Sequence, residues 1–119
     1  MATYGYLIDK LNDYGLAWLH FVEGATAGSR DLPEGVDLDA LRQRFKGAYI
    51  GNNGYDLALA LQRRAAGLVD VVAFGRPFIA NPDLVERFKH NAALEVATRD
   101  DYYGGGAKGY TDWPRLIPN

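Results

Sequence analysis

A short apolar segment that runs into a glycine-rich loop, Ala48-Tyr49-Ile50-Gly51-Asn52-Asn53-Gly54, decides the fold class. We predict a short strand over Ala48–Ile50 that leads into this loop. An Ala- and Leu-rich helix over Tyr55–Ala66 is predicted directly after the loop. The pattern then repeats, since a valine-rich strand over Leu68–Phe74 ends at Gly75-Arg76 before another helical turn. Strands and helices that alternate at glycine-marked joints predict a parallel α/β architecture.

The upstream sequence extends this alternation. A helix over Tyr4–Tyr14 is predicted to end at Gly15, where a left-handed residue is favoured. The strand that follows, Leu16–Val22, is almost continuously apolar, so we expect it to be covered on both faces. A polar loop over Ala25–Gly35 then leads to a helix that Asp37 caps and that continues to about Lys46.

Downstream of the last strand, the sequence predicts one more helix and then an irregular tail. Asn81-Pro82 indicates the start of that helix, because Asn is a common N-cap and proline is favoured at the first helical position. Helical periodicity fades after Asn91, so we expect residues 92–119 to be irregular.

The element count predicts an incomplete barrel or a small open sheet. Three strands and four helices, with repeats of roughly 30 residues, match the units of a (β/α)8 barrel. A complete barrel needs about 250 residues, and this chain has 119. We treat residues 1–119 as one domain with two open sheet edges, which needs a complementary portion or self-association to close.

Composition excludes several functional classes. The formal net charge of −2 provides no basic field for nucleic acid. No apolar run approaches the roughly 20 residues of a membrane span, and the first residues do not resemble a signal peptide. Because the chain has no Cys, we expect a cytoplasmic protein without disulfides. The basic pairs Arg42/Arg44 and Arg63/Arg64 are expected to lie on solvated helix faces.

Two loops are candidate anion sites. Gly51-Asn52-Asn53-Gly54 and Phe74-Gly75-Arg76 each follow the carboxyl end of a predicted strand. Backbone N–H groups at such junctions bind phosphate, and the late strands of barrels often supply this site. The alternative is that these glycines only allow tight turns, and the residues alone leave both interpretations open.

Four stretches together resemble one known family. Gly47–Tyr55, Asp70–Leu84, Tyr102–Pro114 and His20–Gly24 are similar, in that family's order, to segments of the Old Yellow Enzyme family of FMN-dependent ene-reductases. The resemblance covers nearly the whole chain. It implies the last three βα units of a (β/α)8 TIM barrel, beginning in the helix before strand six.

The resemblance also implies an FMN site. In that family the loops after strands seven and eight bind the FMN phosphate, largely through backbone N–H groups. The matching positions here are Asn52, Asn53, Gly54, Gly75 and Arg76, with Phe74 beside the flavin. Tyr103 matches a tyrosine of the substrate pocket, and an aromatic ring that packs a loop onto the barrel is the alternative.

No catalytic residue can be assigned in this chain. The family's substrate-anchoring pair and its proton-donating tyrosine belong to earlier strands. His20 is expected to be a core histidine and His90 to lie on a surface helix, and neither has partners at metal-ligand spacing. Glu23 and Asp31 are loop carboxylates without a visible partner, so general acid or base chemistry is not supported.

The resemblance predicts the C-terminal portion of a split, truncated or permuted ene-reductase. Its assembly with the complementary N-terminal portion would use NAD(P)H to reduce an activated alkene through FMN. We expect this chain alone to be inactive. Two alternatives remain open. The first is a non-catalytic half-barrel scaffold that self-associates through its strand edges, and the second is a stand-alone phosphate-binding module.

Overall fold

A computed structural model describes residues 1–27 and 29–116. Gly28, in the expected loop over Ala25–Gly35, and residues 117–119, at the end of the expected irregular tail, lie outside the described residues. The chain divides into two compact units, Met1–Ala73 and Phe74–Asn119, and each is described by itself.

The first unit contains a parallel three-stranded sheet in the order β1-β2-β3. The strands are β1 (Trp18–Val22), β2 (Ala48–Asn52) and β3 (Val71–Val72), and Trp18 of β1 is opposite Ala48 of β2. The predicted parallel α/β architecture is therefore confirmed. β3 is shorter than predicted, although the Ala73 N–H still donates to Gly51 O at 2.9 Å and continues the alignment by one residue.

Three helices accompany this sheet; the cap at Asp37 was predicted, whereas Asp56 caps the helix that was expected to begin at Tyr55. The Asp37 carboxylate accepts from the Ala40 N–H at 2.9 Å, and the Asp56 carboxylate accepts from the Leu59 N–H at 2.8 Å. Gly15 has a φ of 60°, as predicted for the residue that ends the first helical segment. The helices are α1 (Ala2–Leu11, followed by a 3-10 turn over Asn12–Tyr14), α2 (Leu38–Arg44) and α3 (Leu57–Ala65).

The apolar core of this unit lies on one face of β1. Leu19 and Phe21 pack against a cluster formed by Ile8, Leu41 and Phe45 of the α1 and α2 segments. Successive strand residues point to opposite faces, so Trp18 and the other alternate residues of β1 face away from this core. Trp18 is 60% exposed, which makes the expectation that both faces of this strand are covered wrong.

The second unit has two short helices, α4 (Arg76–Ala80) and α5 (Leu84–Lys89), and a 3-10 turn over Arg99–Asp101. The prediction that Asn81-Pro82 starts the second helix is wrong by two residues, because Asp83 occupies the N-cap position. The buried Asn81 amide instead donates to Pro77 O and Glu95 O and accepts from the Glu95 N–H.

A buried arginine attaches the tail to α5. The Arg87 guanidinium donates to the Asp83 carboxylate at 2.9 Å, to Ala93 O at 2.8 Å and to Pro114 O at 3.0 Å. Asp83 also accepts from the Leu116 N–H. The tail is therefore held by specific polar contacts although it has little regular structure. No helix among the described residues is both long enough and apolar enough to cross a bilayer.

Candidate functional site

The loop after β2 has a left-handed backbone. Asn53 and Gly54 have φ values of 89° and 66°, a region that asparagine and glycine adopt more readily than other residues. The Asn53 N–H donates to the Asn52 Oδ1 at 2.6 Å, so this predicted phosphate donor already has a partner within the loop. The sequence predicted the loop's position, and the structure explains its residue types.

The Asn53 side chain connects this loop to the one after β1. Its amide donates to Glu23 O and, at 2.6 Å, to Ser29 O. In the reverse direction, the Arg30 guanidinium donates to Asn53 O. The two loops are thus joined by hydrogen bonds from both sides.

Glu23 lies at the centre of this connection. Its carboxylate is fully buried, pairs with the Arg30 guanidinium at 2.7 Å and accepts from the Tyr55 hydroxyl at 2.9 Å and the Tyr49 hydroxyl at 3.2 Å. Burial, together with the neighbouring Glu23 charge, raises the pKa of both tyrosines, so they act as hydrogen-bond donors.

The expectation that Glu23 is a loop carboxylate without a partner is therefore wrong. Its partners are 7 to 32 residues away along the chain, so no short spacing could reveal them. The available signal was the combination of an acidic residue at the end of an apolar strand with Gly24 directly after it. Asp31, by contrast, is exposed and accepts from the Ser29 hydroxyl at 2.8 Å.

The loop after β3 contains a glycine with open space around its Cα. Gly75 has a φ of −89°, and a Cβ added there would meet no protein atom within 4 Å. Among the described residues, the N–H groups of Gly75 and Arg76 donate no hydrogen bond. Room over a glycine with free N–H groups is what a phosphate needs in order to approach a backbone closely.

Aromatic rings flank this loop within the second unit. The half-buried ring of Phe74 lies 5.2 Å from that of Phe88, measured between centroids. The Arg76 guanidinium is exposed and lies 5.9 Å from the centre of the Tyr102 ring. Tyr103 is 91% exposed, and its assignment to a substrate pocket stays a prediction.

The two histidines and the basic pairs singled out in the sequence lie in environments that match the predictions only in part. His20 is exposed rather than part of the core, because it lies on the uncovered face of β1, with its Nε2 3.1 Å from the Asn52 amide nitrogen. His90 is exposed at the end of α5, as predicted. Arg42 and Arg63 do not lie on solvated faces, since they are mostly buried and pair with Asp70 and Asp39. Arg44 pairs with Asp9 at the surface.

The family to which this chain belongs follows from a match over most of its length. The model of the NADH:flavin oxidoreductase / NADH oxidase family matches residues 5–95, which is more than half of the chain. The chain belongs to this family. The resemblance to the Old Yellow Enzyme family is confirmed at this level, since similar solved structures carry that name.

The flavin oxidoreductase relatives include plant enzymes. 12-oxophytodienoate reductase 2 of Arabidopsis thaliana is 34% identical over 113 residues, which are 93% of this chain and 30% of that protein. Putative 12-oxophytodienoate reductase 4 of Oryza sativa subsp. japonica is 38% identical over 121 residues, covering 98% of this chain and 31% of its own length.

Solved structures of the family have the same fold in the matched part. Morphinone reductase is 47% identical with a TM-score of 0.86, over 97% of this chain and 31% of its own. The old yellow enzyme from Trypanosoma cruzi is 36% identical with a TM-score of 0.86, over 98% of this chain and 30% of its own. This chain therefore spans about a third of the length of its relatives.

Proposed function

We propose that this chain forms the last three βα units of an FMN-dependent ene-reductase barrel and binds the FMN phosphate. Reduction of an activated alkene by NAD(P)H then belongs to the assembly with the N-terminal portion of the barrel. Bound FMN supplies the hydride-transfer chemistry, and this chain supplies binding and orientation. The family match over residues 5–95 supports the flavin chemistry.

The observation that carries the proposal is the open backbone at Gly75. A Cβ at this position would meet no atom of the chain within 4 Å, and the φ of −89° lies outside the left-handed region that favours glycine. Neither a clash within the chain nor a left-handed backbone therefore accounts for this glycine. Access for a ligand to the N–H groups of Gly75 and Arg76 does explain it, so these residues fit a phosphate group.

The remaining residue roles follow from the same assignment. In the loop after β2, Gly54 is proposed to contribute its N–H group, together with Asn53 if its N–H exchanges Asn52 Oδ1 for phosphate. Asn52, the last residue of β2 and paired with Val22 of β1, is proposed to lie at the edge of the phosphate site. Phe74 is proposed to lie beside the flavin and Tyr103 at the mouth of the substrate pocket. No residue of this chain is proposed to transfer a proton to the alkene.

The uncovered face of the sheet supports a partner. Trp18 and Val22 of β1 and Val71 of β3 are 60%, 51% and 54% exposed, which is unusual for large apolar side chains of a parallel sheet. The proposed occupant is the remainder of the barrel. The same face would also suit a second copy of this chain, so a self-associating scaffold without catalysis is the second candidate function.

A pair of glycine substitutions tests the phosphate assignment. Gly75→Val should weaken FMN binding by the assembled barrel, because the new side chain occupies the proposed phosphate approach. Gly106→Val is the matched control, since a Cβ there also meets nothing within 4 Å and Gly106 is outside the proposed site. Fluorescence titration with FMN should show a loss for Gly75→Val alone. Equal FMN affinities of the two variants would contradict the assignment.

A further inference from the structure

We infer that Glu23 is a positioning residue for the phosphate-binding loop after β2. Its carboxylate acts through Arg30 and Asn53 to hold Asn53 and Gly54 in their left-handed conformation. This inference rests on the proposed function, because it gives that loop a role in FMN binding. Glu23 itself is fully buried, so it has no direct contact with a substrate.

A buried carboxylate is costly, and its partners show how the chain offsets the cost. An unpaired charge in a protein interior is strongly unfavourable unless hydrogen bonds and an opposite charge surround it. Glu23 has the Arg30 guanidinium at 2.7 Å and two tyrosine hydroxyls. Buried ion pairs contribute more to defining a conformation than to stability in some proteins, which is the role inferred here.

Arg30 transmits the position of Glu23 to the loop. One terminal nitrogen of its guanidinium donates to the Glu23 carboxylate, and the other donates to Asn53 O. The Arg30 guanidinium carbon also lies 4.5 Å from the centre of the Tyr55 ring. Because the guanidinium is rigid and planar, fixing its position on Glu23 and Tyr55 fixes the carbonyl of Asn53 as well.

The Asn53 side chain completes the connection. Its amide donates to the backbone carbonyls of Glu23 and Ser29, so both the backbone and the side chain of this residue are held by the loop after β1. These contacts offset the strain of a non-glycine residue at a φ of 89°. Losing the Glu23 charge would free Arg30 and remove one of these restraints.

Two glycines leave the space that the cluster occupies. A Cβ on Gly51 would lie 2.7 Å from the Tyr55 hydroxyl and 3.1 Å from the Glu23 carboxylate. A Cβ on Gly24 would lie 2.6 Å from the Arg30 Cα. The backbone on both sides of the cluster is therefore matched to Glu23 and Arg30, which is a second observation for a specific arrangement.

Comparing FMN with riboflavin separates positioning from general stability, because riboflavin lacks the phosphate. In the complex of the full chain with the rest of its barrel, Glu23→Gln should weaken FMN binding roughly tenfold. Riboflavin affinity should change by less than about twofold, since riboflavin has no phosphate for this loop to bind. Glu34→Gln is the matched control, because Glu34 is exposed in the same connection and loses the same charge.

The outcomes distinguish the positioning role of Glu23 from the proposed binding of the FMN phosphate. Unchanged FMN affinity, or equal losses for FMN and riboflavin, would overturn the positioning role. A wild-type complex that binds FMN no better than riboflavin would contradict the proposed phosphate binding itself. If Glu23→Gln fails to fold, Arg30→Lys gives the same test, because a lysine retains the charge but cannot span the Glu23 carboxylate and Asn53 O. An FMN-selective loss in Arg30→Lys is then expected, and a loss shared by both flavins would overturn the inference.

Discussion

Arg76 offers an anion both a backbone N–H and an exposed guanidinium. The centre of the Tyr102 ring lies 5.9 Å from that guanidinium, within the range of a cation–π contact. The side chain and the backbone can therefore be tested separately, since removal of the guanidinium leaves the N–H in place.

Arg76→Ala should lower FMN affinity of the assembled barrel by about ten- to a hundredfold. The reason is the loss of a charge-assisted hydrogen bond, which contributes about 1.5–3 kcal/mol. An FMN titration of wild type and variant at two salt concentrations measures it, and the difference should shrink at the higher salt. Arg64→Ala is the control, because Arg64 is exposed on α3 and its removal changes the net charge equally. Equal affinities of Arg76→Ala and wild type at both salts would show that only the backbone contributes.

Some residues of the candidate site could be predicted from the sequence, and others could not. Gly54 could be predicted as a turn residue, because glycine at a strand-to-helix joint is a local signal. The Glu23 cluster could not be predicted, since its contacts with Arg30, Tyr49 and Tyr55 depend on which strands become neighbours. The exposure of His20 could not be predicted for the same reason, because apolar neighbours in sequence do not show which face of a strand is covered.

β2 is the element most tightly surrounded by the cluster. At Gly51, a Cβ would meet the Tyr55 hydroxyl at 2.7 Å and the Val69 Cγ1 at 2.8 Å, closer than Cβ atoms come to such neighbours in proteins. The strand therefore requires glycine for space rather than for backbone freedom.

Gly51→Ala should destabilise the chain by about 1–3 kcal/mol, the usual cost of overpacking a filled interior. Gly106→Ala should leave stability nearly unchanged, since that position has open space. Urea denaturation followed by circular dichroism measures both variants in parallel. A Gly51→Ala midpoint equal to that of Gly106→Ala would contradict the packing described for β2.

The attachment of the tail to α5 should depend on pH. Hydrogen bonds from the Leu116 N–H and from Arg87 hold the pKa of Asp83 below its usual range. A lowered pKa means that the folded state favours the ionised carboxylate, so the stabilisation is present above the ordinary aspartate pKa and is lost as the pH falls through the lowered value.

Acid unfolding of Asp83→Asn should therefore depend less steeply on pH than that of wild type, and the variant should be less stable at neutral pH. Asp100→Asn is the control, because Asp100 is an exposed aspartate of the same tail. Circular dichroism over an acid titration provides the measurement. Parallel curves for wild type and Asp83→Asn would contradict the role of this carboxylate.

Some helix ends are set by residues close in sequence, whereas other helix ends and the strand ends depend on tertiary contacts. Asp37 could be assigned as a cap because its partner, the Ala40 N–H, is three residues away. Asn81 has the same sequence signature, but its amide binds the backbone of Glu95, a tertiary contact that outweighs the local preference. The short β3 has a similar explanation, since the extent of a strand is set by its partner.

At the scale of the whole molecule, the uncovered sheet face determines how the isolated chain should behave. Trp18, Val22 and Val71 are large apolar residues at least half exposed to water. Their burial would be favourable in any complex that covers them. The reacting groups of the family lie on earlier strands according to the resemblance, so this sequence could predict an incomplete site but not a complete mechanism.

The isolated chain should self-associate rather than remain a monomer of 13.1 kDa, because its sheet face and edges are uncovered. Trp18→Glu should reduce this association by placing a charge on the apolar face. Tyr14→Glu is the control, since Tyr14 is 75% exposed but lies outside the sheet. Light scattering at several concentrations measures the mass, and a compact, monodisperse wild-type monomer would contradict the prediction.

We propose that this chain completes a flavin-binding barrel together with an N-terminal portion. Co-expression with the N-terminal portion of a related reductase, followed by mass analysis and absorbance spectroscopy of the purified material, tests it most directly. We expect a stoichiometric complex that contains both polypeptides and FMN and shows the flavin absorption bands. A colourless oligomer of this chain alone, with no second polypeptide and no FMN, would contradict it.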